Sequence, residues 1–74
     1  MKHQPAFVIC VDNGGYPASL EPRKIYVQVP DPRAEQDGLL RVVDESGEDY
    51  LYPSRLFVPI SVPQEAERAF SGVA

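Results

Sequence analysis

The sequence predicts an all-β domain, a small five-stranded barrel followed by a short C-terminal helix. Three observations predict it. Short β-branched and aromatic runs recur from Phe7 to Ile60, each bounded by Gly, Pro, Asn, Asp or Ser. The eight prolines fall in separate places, so they punctuate structure rather than build a linker. Apolar residues at helical spacing occur only near the C-terminus, at Val62, Ala66, Phe70 and Val73. With 74 residues there is room for one domain and one modest core, the barrel over about 6–60 and the helix over about 62–71.

The first strand is Phe7 to Val11, closed by the turn residues Asp12-Asn13-Gly14-Gly15. Its two faces are both apolar, which suits a strand covered at least partly on both sides. Gly14 to Pro22 is an irregular loop from which Leu20, and with it Tyr16, folds back on the core. Lys24 to Val29 alternates, so Ile25, Val27 and Val29 take one face and Tyr26 and Gln28 the other. Pro30 to Gly38 is a short surface helical turn. Asp31 caps it, Pro32 starts it and Gly38 ends it.

Leu39 to Asp44 is the third strand and Glu45-Ser46-Gly47-Glu48 a tight turn, with Gly47 at positive φ. Asp49 to Tyr52 follows, placed with Leu51 inward and Tyr50 and Tyr52 outward. Pro53-Ser54-Arg55 breaks the ladder, because proline has no N–H to donate. Phe57 to Ile60 is the last strand. Ser61 and Gln64 then offer a capping box to the final helix, with Gly72 as its stop. The core expected from this pattern is Val8 or Phe7, Ile9, Leu20, Ile25, Val27, Val42, Leu51 and Val58.

Charge narrows the function classes. The formal net charge is −4, and the seven basic residues are scattered, with only Arg23 and Lys24 adjacent. A chain that neutralises phosphates carries the opposite balance, so neither nucleic acid nor an anionic membrane is an expected partner. No apolar run is long enough to span a bilayer, and Met1 to Asp12 does not read as a signal peptide. The single cysteine makes no disulfide within the chain. A reducing, cytoplasmic setting fits all of this.

Chemistry-bearing groupings are few. Cys10 lies in an apolar strand, and the one histidine, His3, is at the N-terminus, so the cysteine reads as a small core hydrophobe rather than a nucleophile. Asp44, Glu45, Glu48 and Asp49 crowd one hairpin. Their spacing does not match a calcium loop, and a solvated acidic turn is the simpler reading, with steering of a basic partner as a further use. No nucleotide loop, metal-ligand set or catalytic triad is visible, so no enzyme activity and no cofactor are expected. The candidate binding surface is aromatic, formed by Tyr16, Tyr26, Tyr50, Tyr52 and the adjoining Pro53, since exposed aromatics anchor interfaces. The competing reading has the C-terminal helix cover this strip with Phe70.

The succession of strand, long loop, strand, medium loop, strand, tight hairpin, strand, short turn, strand resembles the Src-homology-3-like barrel. The segment Tyr52-Pro53-Ser54-Arg55-Leu56-Phe57-Val58 is similar to the Pro-Ser-Asn-Tyr-Val corner of its signalling members, whose aromatic shelf takes polyproline ligands. Tyr16, Tyr52 and Pro53 are the corresponding positions. The likeness departs at the third strand, where Leu39 and Leu40 stand in place of a tryptophan. The chain also resembles a group of small uncharacterised bacterial proteins. They share a cysteine in the first strand (Cys10), a loop like Gly15 to Glu21 and a block like Asp44 to Pro53. These resemblances imply a fold and no activity. The expectation is a non-catalytic module that binds another protein, or serves as an accessory subunit. The alternative is a free-standing regulatory or small-ligand domain with a pocket between the first loop and Pro53.

Overall fold

A computed structural model describes the backbone of residues 6–71 and the side chains of residues 6–69. Among these residues five strands are present: β1 Ala6–Cys10, β2 Ile25–Val29, β3 Leu39–Val43, β4 Asp49–Pro53 and β5 Phe57–Ile60. Two helices accompany them, α1 Pro32–Gln36 and α2 Gln64–Ser71, and a 3-10 turn spans Ser54–Leu56. The strands form one antiparallel sheet in the order β4-β3-β2-β1-β5. The edge strands β4 and β5 do not pair with each other, so the sheet stays open where a closed barrel was expected. The 3-10 turn carries the chain from β4 to the far edge, where β5 pairs with β1 alone. Pro59 leaves β5 one donor short.

Residues paired across antiparallel strands share a face. Val8 lies opposite Tyr26, Cys10 opposite Phe57, and Leu40 opposite Tyr52. That face is the core side, where Val8, Cys10, Tyr26, Val42, Tyr52 and Phe57 are buried with Leu56 of the 3-10 turn and Leu20 of the first loop. The loop is the lid of this core. Its ends extend the β1–β2 ladder, with Cys10 N–H donating to the Lys24 carbonyl at 2.9 Å and Arg23 N–H to the Cys10 carbonyl at 2.6 Å. Its middle is tied to the hairpin by Glu45 N–H donating to the Ser19 carbonyl at 3.0 Å. Gly14 has φ +60°, and a Cβ there would stand 2.8 Å from the Leu56 side chain, so the loop needs glycine where it crosses the 3-10 turn.

The expected facing of three strands, β2, β4 and β5, is therefore corrected. Leu51 is 43% exposed and Val58 is also exposed, whereas Tyr26 and Tyr52 are each only 5% exposed. Ile9, Ile25 and Val27 are half-buried on the opposite face. Alternation alone favoured the aliphatic side. The tyrosines go inside because each hydroxyl finds a partner there: Tyr26 donates to Glu45 at 2.6 Å, and Tyr52 donates to Asp44 at 2.6 Å. Val8, Phe7, Leu20 and Val42 are buried as expected.

Helix ends are local and follow the expectation in one case only. Asp31 accepts from Ala34 N–H at 3.1 Å, and Pro32 opens α1. The helix is more than a surface turn, because Ala34 is buried and α1 packs on β3. In α2 the first helical bond runs from Glu67 N–H to the Pro63 carbonyl, so Pro63 rather than Ser61 holds the cap position. The predicted roles of Phe70, Gly72 and Val73 lie outside the described residues, as does His3. None of the helices over the described residues is long and apolar enough to cross a membrane.

Candidate functional site

The site grows from the turn between β3 and β4. Asp44 directly follows β3 and bends its carboxylate back over the turn. Its Oδ1 accepts from Ser46 N–H at 2.8 Å and from the Ser46 hydroxyl at 2.5 Å. This side-chain turn is what Asp and Ser favour two residues apart. Gly47 N–H donates to the Asp44 carbonyl at 3.0 Å, with Gly47 at φ +86° as the tight turn requires. The other carboxylate oxygen takes the Tyr52 hydroxyl. Asp44 is thus a 6% exposed carboxylate held by hydrogen bonds. Burial pushes its pKa up, but the Ser46 and Tyr52 hydroxyls and the Ser46 N–H outweigh burial, and the net position is below the ordinary aspartate value.

Aromatic rings stand around this carboxylate. Tyr16, from the first loop, meets Tyr52 edge-on at 5.1 Å between ring centres, and Tyr52 in turn meets Phe57 at 6.3 Å. Tyr16 and Tyr50 are 46% and 49% exposed. Tyr50 donates its hydroxyl to Glu48 at 2.9 Å, and that bond to a carboxylate raises its pKa. Tyr52 is raised too, first by burial and then by Asp44. Tyr16, Ser19, Asp44, Ser46, Tyr50, Leu51 and Tyr52 together line an open cavity of about 410 Å³. No lysine or arginine lines it.

Of the sequence-derived candidates, the structure brings Tyr16, Tyr50 and Tyr52 together. Tyr52 contributes its ring to the floor rather than to an outer strip. Tyr26 is elsewhere: buried, accepting from Glu21 N–H at 2.8 Å and donating to Glu45. Burial first, and then the Glu45 bond, push its hydroxyl far above the ordinary tyrosine value. Lys24 completes that second cluster, 2.6 Å from Glu45 and 5.7 Å from the Tyr26 ring centre. Pro53 is half-buried at the end of β4 and does not line the cavity.

The acidic hairpin does not converge. Asp44 turns to Ser46 and Tyr52, Glu45 to Lys24 and Tyr26, Glu48 to Tyr50, and Asp49 stands 3.7 Å from Arg41. Among the described residues no group of three or more His, Cys, Asp or Glu is placed to hold a metal ion. Cys10 is fully buried, and burial raises its pKa, so it carries a protonated thiol at neutral pH; the sulfur donates to the Asp12 carbonyl at 3.3 Å. Ser19 and the inward-turned Asp44 lie outside the binding surface expected from the sequence, where Asp44 belongs to the acidic turn. Asp44-x-Ser46-Gly47 is the signal that points the carboxylate inward, because it forms this turn; nothing local marks Ser19.

No protein-family model, no curated protein and no solved structure matches this chain.

Proposed function

We propose that this protein is a non-catalytic interaction module whose tyrosine-lined cavity, between the first loop and the β3–β4 turn, receives part of another protein. One observation carries the reading. Two half-exposed tyrosines, Tyr16 and Tyr50, flank an open cavity with a buried carboxylate at its floor. Exposed aromatic rings grouped around a concavity are the usual anchors of protein interfaces. A Src-homology-3-like architecture is part of the proposal. The order of strands and loops and the 3-10 turn between β4 and β5 support it. The cavity lies beside the hairpin rather than at Pro53, so polyproline capture at the corner draws no support from it. The small-ligand alternative retains one favourable point: about 410 Å³ is within the range of small-molecule sites, at its lower end.

Affinity purification from the source cell tests the reading. The expected result is a stoichiometric protein partner retained by the wild-type chain and lost by a Tyr16→Ala, Tyr50→Ala double variant. Both rings are half-exposed, so the variant should stay folded. An identical set of co-purifying proteins with both chains would overturn the assignment of this surface.

A further inference from the structure

We infer that the cavity takes an arginine side chain of its partner, stacked against the exposed tyrosines and facing the Asp44 carboxylate. This rests on the interaction-module reading and adds the chemistry of the occupant. Asp44 is charged at neutral pH and buried, yet no lysine or arginine among the described residues pairs with it. Of its roughly four acceptor positions, Ser46 N–H, the Ser46 hydroxyl and the Tyr52 hydroxyl take three. Its own N–H also favours the charged form, so hydrogen bonds hold the charge, but no cation among the described residues neutralises it where Asp44 lines the open cavity. The hairpin's other carboxylates do have their own cations, Glu45 with Lys24 and Asp49 with Arg41, or are held at the rim, as Glu48 is by Tyr50.

The walls specify the kind of cation. Tyr16 and Tyr50 offer half-exposed rings, and aromatic faces attract cations through their quadrupole. A guanidinium is planar, stacks on a ring and still directs N–H donors sideways to a carboxylate, whereas an ammonium does the second but not the first. It is also the more weakly hydrated cation, so less is lost when it enters a partly enclosed cavity. An acidic chain of net charge −4 draws such a partner from a distance.

Two experiments separate this inference from the reading beneath it. The first is an NMR titration with a short peptide alternating arginine and glycine, with lysine and glutamate versions as controls, in about 0.15 M salt. The arginine peptide should shift the amides of Tyr16, Ser46 and Tyr50 and bind more tightly than the lysine peptide. Tyr50→Ala should weaken it about fivefold, while the dispersion of the spectrum shows that the variant is folded. Equal binding of the arginine and lysine peptides, with no effect of Tyr50→Ala, would be diffuse attraction to an acidic surface and would overturn the inference. The second replaces Leu51, an exposed residue of the cavity lining, with a photo-crosslinking phenylalanine in the source cell. A cross-linked partner whose contact segment contains arginine supports both claims. One whose contact segment lacks arginine overturns the inference and leaves the interaction module standing. No cross-linked protein overturns both.

Discussion

At the scale of single residues, the exposed Leu51 and the buried Leu56 make a sharp contrast. Both are leucines within one stretch of the chain, but Leu51 is 43% exposed and Leu56 not at all. Leu56→Ala should cost about 2–5 kcal/mol, most of what a domain this small has to spare. Leu51→Ala should stay within about 0.5 kcal/mol of the parent. Urea titration of the two variants decides whether the tyrosine face or the aliphatic face of β4 is the core side. The Tyr52 hydroxyl is the next test. Tyr52→Phe removes a donor from a charged carboxylate and should cost about 1–3 kcal/mol at neutral pH. The pH dependence follows from Asp44, whose folded pKa lies below the ordinary value. Below the ordinary value of about 3.9 the unfolded chain takes up the proton first, so stability falls as pH drops from there through the folded pKa. The gap between wild type and Tyr52→Phe should therefore be full at pH 7 and narrow in that acid window. A gap independent of pH would mean that the hydroxyl does not act through Asp44.

At the scale of elements, what is local in the chain is also what was legible in it. The strand spans, the Asp31 cap and the Gly47 turn depend on neighbours a few positions away, and each lies where the residues place it, the strands to within one residue; Pro53 ends β4 opposite Leu39 rather than breaking the ladder before it. Which face of a strand is buried depends on partners far along the chain. On β1 both faces are apolar, so alternation could not choose. On β2 and β4 the choice rests on Glu45 and Asp44 receiving two tyrosine hydroxyls, and nothing in the alternation of either strand reports that. The candidate cavity was half legible for the same reason. Tyr16 and Tyr50 stand out as aromatics near turns, while Ser19 joins them through bonds across the fold, its carbonyl accepting from Glu45 N–H and its side chain bonding Tyr52. The Gly47 turn carries its own prediction. A Cβ there would meet nothing, so only the backbone conformation is strained. Gly47→Val should lose about 1–2 kcal/mol, and Gly47→Asn should lose less, because asparagine tolerates this region better. Thermal melts of the pair show the difference; equal melting temperatures would misplace the turn.

At the scale of the whole molecule, Cys10 gives a readout of global opening. It is fully buried at the centre of the core, beneath the loop that holds Leu20, and its thiol is protonated at neutral pH. Alkylation should be slow in the native protein and should accelerate in step with the unfolded fraction as urea is added. Rapid modification without unfolding would mean that the loop lifts independently of the sheet. The order of strands reaches further, into the making of the protein. β1 is flanked by β2 on one side and by β5 on the other, and the pairing of Ile9 with Val58 closes a span of about fifty residues. A nascent chain can assemble β1 to β4 as it emerges, but the second edge of β1 stays bare until Ile60 has left the ribosome. Until then β1, an apolar strand, is the bare edge of a four-stranded sheet, the kind of edge that recruits other chains. Completion of the sheet thus waits on its last strand, and the interval between synthesis of β1 and arrival of β5 is when this protein is most exposed to aggregation.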